Sequence, residues 1–319
     1  MIVLLVLRAG RIFARNCFKY LHPMFYRRKI MLALLEKSGG EMGRLQLQKL
    51  LFLITRHQEK PAFDFVPYKF GAYSFRANAD AGTMCNYGLI STTDEKSWKK
   101  ETEELFYPAL KNRDQRILDT VLYQYGTATG KELIKYTYRK FPYYAINSTV
   151  AERYMEEDDL AAIAAERQFP TEPALLTIGY EGLSAEAYFN KLIKHGVRAL
   201  VDVRRNAMSM KYGFHKKQLA HVCHSVGLAY YHVPEVGIAN DKRRELNTQA
   251  DYDTLFAEYV DTTLRTEQTG QQTIIDLHQR HVRIALTCFE AGPHQCHRSH
   301  LADHLHLLAP ETIPNPLHI

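Results

Sequence analysis

Several features that mark common protein classes are scarce or missing in this sequence. The apolar run in "MIVLLVLRAGRIF" is seven residues long, whereas a membrane-spanning helix needs about twenty. No charged stretch precedes it, so residues 1–23 are read as an extension, a short helix or a strand rather than a secretion signal. Five cysteines (Cys17, Cys85, Cys223, Cys288, Cys296) form an odd set without tight spacing. That argues against a disulfide framework and for a reducing, cytoplasmic setting. There is no internal repeat and no low-complexity tract. Charged residues make up 24% and hydrophobic ones 46% of 319 residues, enough for two domains with real cores.

Charge is uneven. Residues 1–150 carry 24 Lys and Arg against 13 Asp and Glu, while residues 151–319 carry 17 against 22. A basic first half fits a polyanionic partner, nucleic acid above all; a merely soluble basic surface is the plainer alternative. The sign changes within "AERYMEEDDLAAIAAERQFPTEP", which is acidic, then Ala-rich, then broken by Pro170 and Pro173. We read a basic module over 24–148, a linking helix and hinge over 149–173, a second domain over 174–309 and a tail over 310–319.

In the first module, "MFYRRKIMLALLEKSG" places Ile30, Leu34 and Leu35 at helical spacing and is stopped by Gly39-Gly40. "GRLQLQKLLFLITRHQ" has an apolar stripe of Leu47, Leu50, Leu51 and Ile54. "SFRANADAGTMCNYG" is a third helix capped by Ser74, and "LISTTDEKSWKKETEELFY" reads as strand, turn, strand. This is the order of a winged helix-turn-helix. In the second half, the strand runs "ALLTIGY", "VRALVDV", "LAYYHV" and "VRIALTC" alternate with helices such as "SAEAYFNKLIKHG" and "HRSHLADHLHLL". The expected fold is therefore α/β: a small Rossmann- or flavodoxin-like parallel sheet following a mostly helical, winged-helix-like domain. No Gly-x-Gly-x-x-Gly follows the first of these strands, which disfavours a dinucleotide.

Ligands of open parallel sheets bind beyond the carboxyl ends of the strands. The first strand is followed there by Tyr180 and Glu181, and the second by Asp202, Arg204, Arg205, Ser209, Lys211 and Lys216. The third is followed by His232 and Glu235, and the last by Cys288, Glu290, Cys296, His297 and Arg298. Three readings of the last group stand open. Cys296 at a helix start beside His297 and Arg298 would be a low-pKa thiol, with Glu290 or Glu181 moving a proton. Cys288, Cys296 and His297, with Glu290, could instead hold a divalent metal, although the usual Cys-x2-Cys knuckle is absent. Or Arg204, Arg205 and Arg298 with helix amides would bind a phosphate, leaving the cysteines as packing residues. His232 is as readily a satisfied structural histidine as a site member.

"LQKLLFLI…FDFVPYKFGAYSF" and "TGKELIKYTYRKFPYYAINS" resemble the amino-terminal part of the SocA-like, or Panacea, antitoxin family over roughly residues 25–145. The resemblance implies a winged-helix-like module that binds DNA or a protein. "TIGYEG", "DVRRNAMSMKYGFHKKQL", "GLAYYHVPEVG" and "IALTCFEAGPHQCHRSHLADHL" resemble domain-of-unknown-function family 488 over about residues 174–308. That resemblance implies that Arg204, Ser209, Cys288, Glu290, Cys296, His297 and Arg298 are signature positions. The chain departs from it at Ala207, Met210 and His215, where proline, a basic residue and a small polar residue are usual.

Together these features lead us to expect a DNA-binding protein with a nucleic-acid- or nucleotide-processing site, one that hydrolyses a glycosidic or phosphoester bond, in defence against foreign DNA. The alternatives are a non-enzymatic, nucleotide-sensing DNA-binding regulator and an antitoxin-like module for a protein partner or a second copy of the chain. No organic cofactor and no membrane partner are expected.

Overall fold

The computed structural model describes residues 24–92, 96–239 and 246–319. The extension read over residues 1–23, with Cys17, lies outside them. The chain divides into two compact units, Met1–Arg167 and Gln168–Ile319. No helix among the described residues is long and apolar enough to cross a membrane.

The first unit begins with α1 (Tyr26–Lys37), β1 (Glu41–Gly43) and α2 (Arg44–His57). A hairpin of β2 (Val66–Tyr68) and β3 (Gly71–Tyr73) leads to α3 (Phe75–Asn86), then β4 (Ile90–Ser91) and β5 (Ser97–Lys100). β1, β5 and β4 form one antiparallel sheet in that order. Helix, strand, two helices and two strands is the winged-helix order, with β1 and the β2–β3 hairpin added to what the sequence suggested. Local signals explain the boundaries. The Gly39 and Gly40 φ angles of 85° and 91° end α1 in a conformation other residues avoid. Ser74 Oγ accepts from the Ala77 amide at 3.2 Å and starts α3.

Helices α4 (Asn112–Tyr125), α5 (Gly130–Lys140), α6 (Ala151–Tyr154) and α7 (Glu157–Ala165) complete this unit. Phe52 on α2 meets Phe65, Phe141 and Tyr144 edge-on at 4.7–5.1 Å. The acidic segment read as a link is helical and packs within this unit: Ile163 is buried, and Arg139 pairs with Asp159 at 2.8 Å. Part of the basic excess is also internal, since Arg27 and Arg28 both pair with buried Asp80, at 2.5 and 2.7 Å.

The second unit is a five-stranded sheet flanked by helices and is Rossmann-like. β6 (Ala174–Gly179), α8 (Ala185–Lys194), β7 (Ala199–Asp202), α9 (Lys216–Ser225) and β8 (Ala229–His232) alternate. Then come α10 (Gln249–Asp261), α11 (Thr263–Thr266), α12 (Gln268–His281), β9 (Arg283–Cys288), α13 (His297–Leu308) and β10 (Leu317–His318). All pairings are parallel, in the order β10-β6-β9-β7-β8. Every residue of β6, β7 and β9 is buried, as expected of parallel strands covered on both faces. β10 adds a strand to a segment read as a tail. The chain skips a place between β6 and β7, and β9 later fills it. The carboxyl end of β9 therefore lies between those of β6 and β7, at the topological switch point.

Burial is the leading cause that lowers His278, His281, His300, His304 and His318 of this unit below the ordinary imidazole value of 6.5. The unfolded chain accepts those protons near the ordinary value while the folded unit resists them. Stability is thus fully present above that value and lost as pH falls below it. Urea unfolding of the full chain is expected to show a lower midpoint at about pH 5.5 than at about pH 7.5. Equal midpoints would mean that these rings protonate in the folded unit without cost.

Candidate functional site

Gly179, Cys288, Asp202 and His232 are the last residues of β6, β9, β7 and β8. The register sets Gly179 beside Cys288, and Asp202 beside both Thr287 and His232. Cys296 caps α13 and His297 is its first residue, so a short loop returns the chain to the end of its own strand. The sulfurs of Cys288 and Cys296 and a ring nitrogen of His297 lie within 4.8 Å of one another, and all three residues are buried. The two sulfurs are 3.7 and 3.9 Å from His297 Nδ1. His297 Nε2 is 3.0 Å from the Val203 carbonyl oxygen. A carbonyl only accepts, so Nε2 carries the proton and Nδ1 turns its lone pair toward both thiols. Tyr259 packs edge-on against the ring at 5.5 Å and donates to Val236 O at 2.6 Å.

The donor set suits a metal. Two sulfurs and one imidazole supply three positions of a tetrahedral zinc-type site, and a ring N–H held by a backbone carbonyl is the usual outer support of such a ligand. Half-buried Glu290 lies beside them and accepts from the Cys288 thiol at 3.3 Å.

The loop carrying Glu290 is tied down on several sides. Phe289 O accepts from the amides of Tyr180 and Glu181 at 3.1 and 2.9 Å. Glu181, exposed, accepts from the Ala291 amide at 3.0 Å, so it positions the loop through its carboxylate. A Cβ on Gly179 would overlap the Glu290 carbonyl oxygen, and one on Gly237 would overlap the Arg205 amide. Glycine is required at both close approaches.

Two expectations are corrected here. Arg204 and Arg298 are both buried, and the donors of Arg204 and the two terminal nitrogens of Arg298 are used within the fold rather than offered to an anion; Arg298 Nε alone is buried without a partner. Arg298 donates to the carbonyls of Glu290 and Ala291 at 2.6 and 3.1 Å. Arg204 gives Nε and Nη2 to Asp202 at 2.7 and 2.5 Å, and Nη1 to Tyr180 Oη and Phe214 O at 2.8 and 3.0 Å. Burial works against its charge, but Asp202 more than offsets that and holds the guanidinium above its ordinary range. Nor is Cys296 a low-pKa thiol. Burial first, then contact with Cys288, pushes it well above the ordinary value. Desolvation outweighs the start of the helix.

The remaining predicted residues stand apart from the cluster. His232 receives a hydrogen bond from Lys216 Nζ at 2.8 Å and donates to Arg204 O at 2.9 Å, as a satisfied structural histidine does. Ser209 accepts from the Lys211 amide at 3.2 Å, and Lys211 Nζ donates to Tyr180 O at 2.6 Å. Arg205 is exposed, 3.4 Å from Pro234 O. His215 caps α9, accepting from the Lys217 amide at 3.3 Å, which explains a small polar residue as the usual occupant. Sequence reasoning missed Val203 O, Tyr259, Phe214 (stacked 4.3 Å from Tyr180) and Tyr230, which donates to Asp202 at 2.8 Å. Only Tyr230 and Tyr259 carried a signal, as tyrosines on a strand and on a helix.

Replacing Gly179 by alanine is expected to push the Glu290 loop off the end of β6. It should cost about 1–3 kcal/mol, as other overpacked sites do, and expose Cys288 and Cys296 to a thiol reagent. A thermal midpoint and thiol reactivity equal to those of the unaltered chain would show that the loop moves aside freely.

No curated protein matches the chain. The resemblance of the first unit to Panacea-type antitoxins rests on its sequence motifs alone. For the second unit the comparison is positive and contains Cys288, Glu290, Cys296, His297 and Arg298, although it leaves β6, Tyr180 and Glu181 just outside: residues 184–305 match the family described as Domain of unknown function DUF488.

Proposed function

We propose that the protein is a metal-dependent hydrolase acting on nucleic acid or its nucleotides, with Cys288, Cys296 and His297 as metal ligands and Glu290 as the acid–base group. One observation carries this reading: an imidazole fixed by Val203 aims Nδ1 at two buried thiols at the switch point of the sheet. A bound zinc-type dication would take the two sulfurs as thiolates and make a coordinated water acidic. Glu290 takes a proton from the attacking water and returns it to the leaving oxygen or nitrogen. A phosphoester or N-glycosidic bond then opens with net addition of one water. The winged-helix order and the basic excess of the first half support a role for that unit in placing a nucleic acid by its phosphates.

The test combines elemental analysis of the purified chain with its action on single- and double-stranded oligonucleotides and on nucleotides. Stoichiometric zinc or iron is expected in the unaltered protein and in Glu290→Gln, and is expected to be lost in Cys296→Ser. Product should form only with the unaltered protein, and DNA binding should weaken steeply with salt. A folded, metal-free protein would sink the metal reading. Metal without turnover on any of these substrates would sink the hydrolase.

A further inference from the structure

The first unit contains a cavity of about 510 Å³ bounded by the start of α2, the β2–β3 hairpin, the first turns of α3 and β5. That is the size of small-ligand sites in general. Two kinds of group stand out among aliphatic and amide side chains in its walls. Tyr68, Tyr73 and Trp98 are aromatic, with the two tyrosine rings 4.9 Å apart. Arg44, Lys49 and Lys96 are cationic, and among the described residues no carboxylate lines the cavity.

Two of the cations are set in place rather than merely nearby. The Arg44 guanidinium lies 4.2 Å over the Trp98 ring, and its Nε is buried without a hydrogen-bond partner. Lys49 is buried on α2, and its ammonium donates to the carbonyls of Phe70 and Ala72 at the hairpin turn. Gly71 makes that possible: a Cβ there would come within 2.9 Å of Lys49 Nζ. Burial lowers Lys49 to about 7, so its charge is held at a desolvation cost that a nearby anion would offset.

We propose that this cavity is a binding site for a small planar aromatic anion, its ring against Tyr68, Tyr73 and Trp98 and its anionic group toward Arg44 and Lys49. Aromatic walls take a flat ring, a half-buried guanidinium with an unpartnered Nε takes oxygen, and the lack of carboxylates among the described lining residues removes repulsion. Aromatic carboxylates and nucleoside monophosphates share this chemistry. The site shares no residue with the hydrolase reading and stands or falls without it. It stands against α3, where a winged helix presents its recognition helix, so its occupancy bears on whatever that face contacts.

The chain's single tryptophan is Trp98, so its fluorescence reports occupancy directly. The full-length protein is titrated with 4-hydroxybenzoate and with adenosine monophosphate, and calorimetry gives an independent affinity. A saturable response to either supports the site, and which of the two responds distinguishes a small aromatic acid from a nucleotide. Arg44→Gln and Lys49→Met are each expected to weaken binding by about tenfold or more. Arg44→Gln, only partly buried, serves where removing Lys49 unfolds the unit. The proposal is overturned by no saturable response to either probe at about 1 mM, by unchanged affinity in folded Arg44→Gln, or by phenol binding as tightly as 4-hydroxybenzoate.

Discussion

An aspartate and an arginine two residues apart, both withdrawn from water, hold the carboxyl edge of the second unit's sheet together. Burying such a pair is tolerable only if nearly every lone pair and N–H finds a partner, and here they do. Asp202 takes three donors from Arg204, its backbone amide among them, and one from Tyr230, while Arg204 gives its remaining hydrogen bonds to Tyr180 and Phe214. The pair thereby ties the ends of β6, β7 and β8 to the loop before α9. Losing one partner of such a pair leaves an isolated buried charge, typically worth about 3–5 kcal/mol. Val203 sits between the two residues, and its carbonyl receives His297. The ion pair on one side of the backbone therefore fixes the imidazole that faces the thiols on the other.

The main elements could be read from the sequence because their signals are local. Ser74 and Ser184 cap the helices expected of them, Gly196 ends α8 at a φ of 65°, and four apolar runs became the four long parallel strands. β1, the β2–β3 hairpin and β10 were not readable. Strands of two or three residues are too short for alternation to show, and β10 follows two prolines. The place of the candidate site followed from fold geometry. The work of each residue did not, because an arginine that binds an anion and one that braces a loop look alike in sequence. Arg204 and Arg298 were separated from ligand contact only by side-chain directions, and Val203 contributes through a backbone oxygen that has no sequence signature.

The same distinction applies to charge in the first unit. A count of basic residues treats them alike, yet Arg27 and Arg28 neutralise Asp80, and Lys49 is buried against carbonyls. The cationic surface available to a large polyanion is smaller than the composition implies. Lys49 instead lines a cavity sized for something small.

Gly179 and Gly237 bring the site loops into backbone-to-backbone contact with the strand ends. Loops seated this closely have given up their conformational freedom during folding, before any ligand arrives. Recognition at this edge is therefore recognition by a finished shape: little ordering entropy is left to subtract from affinity, and encounter rather than rearrangement governs the rate of association. Among the described residues, a partner that does not fit meets backbone already seated against backbone.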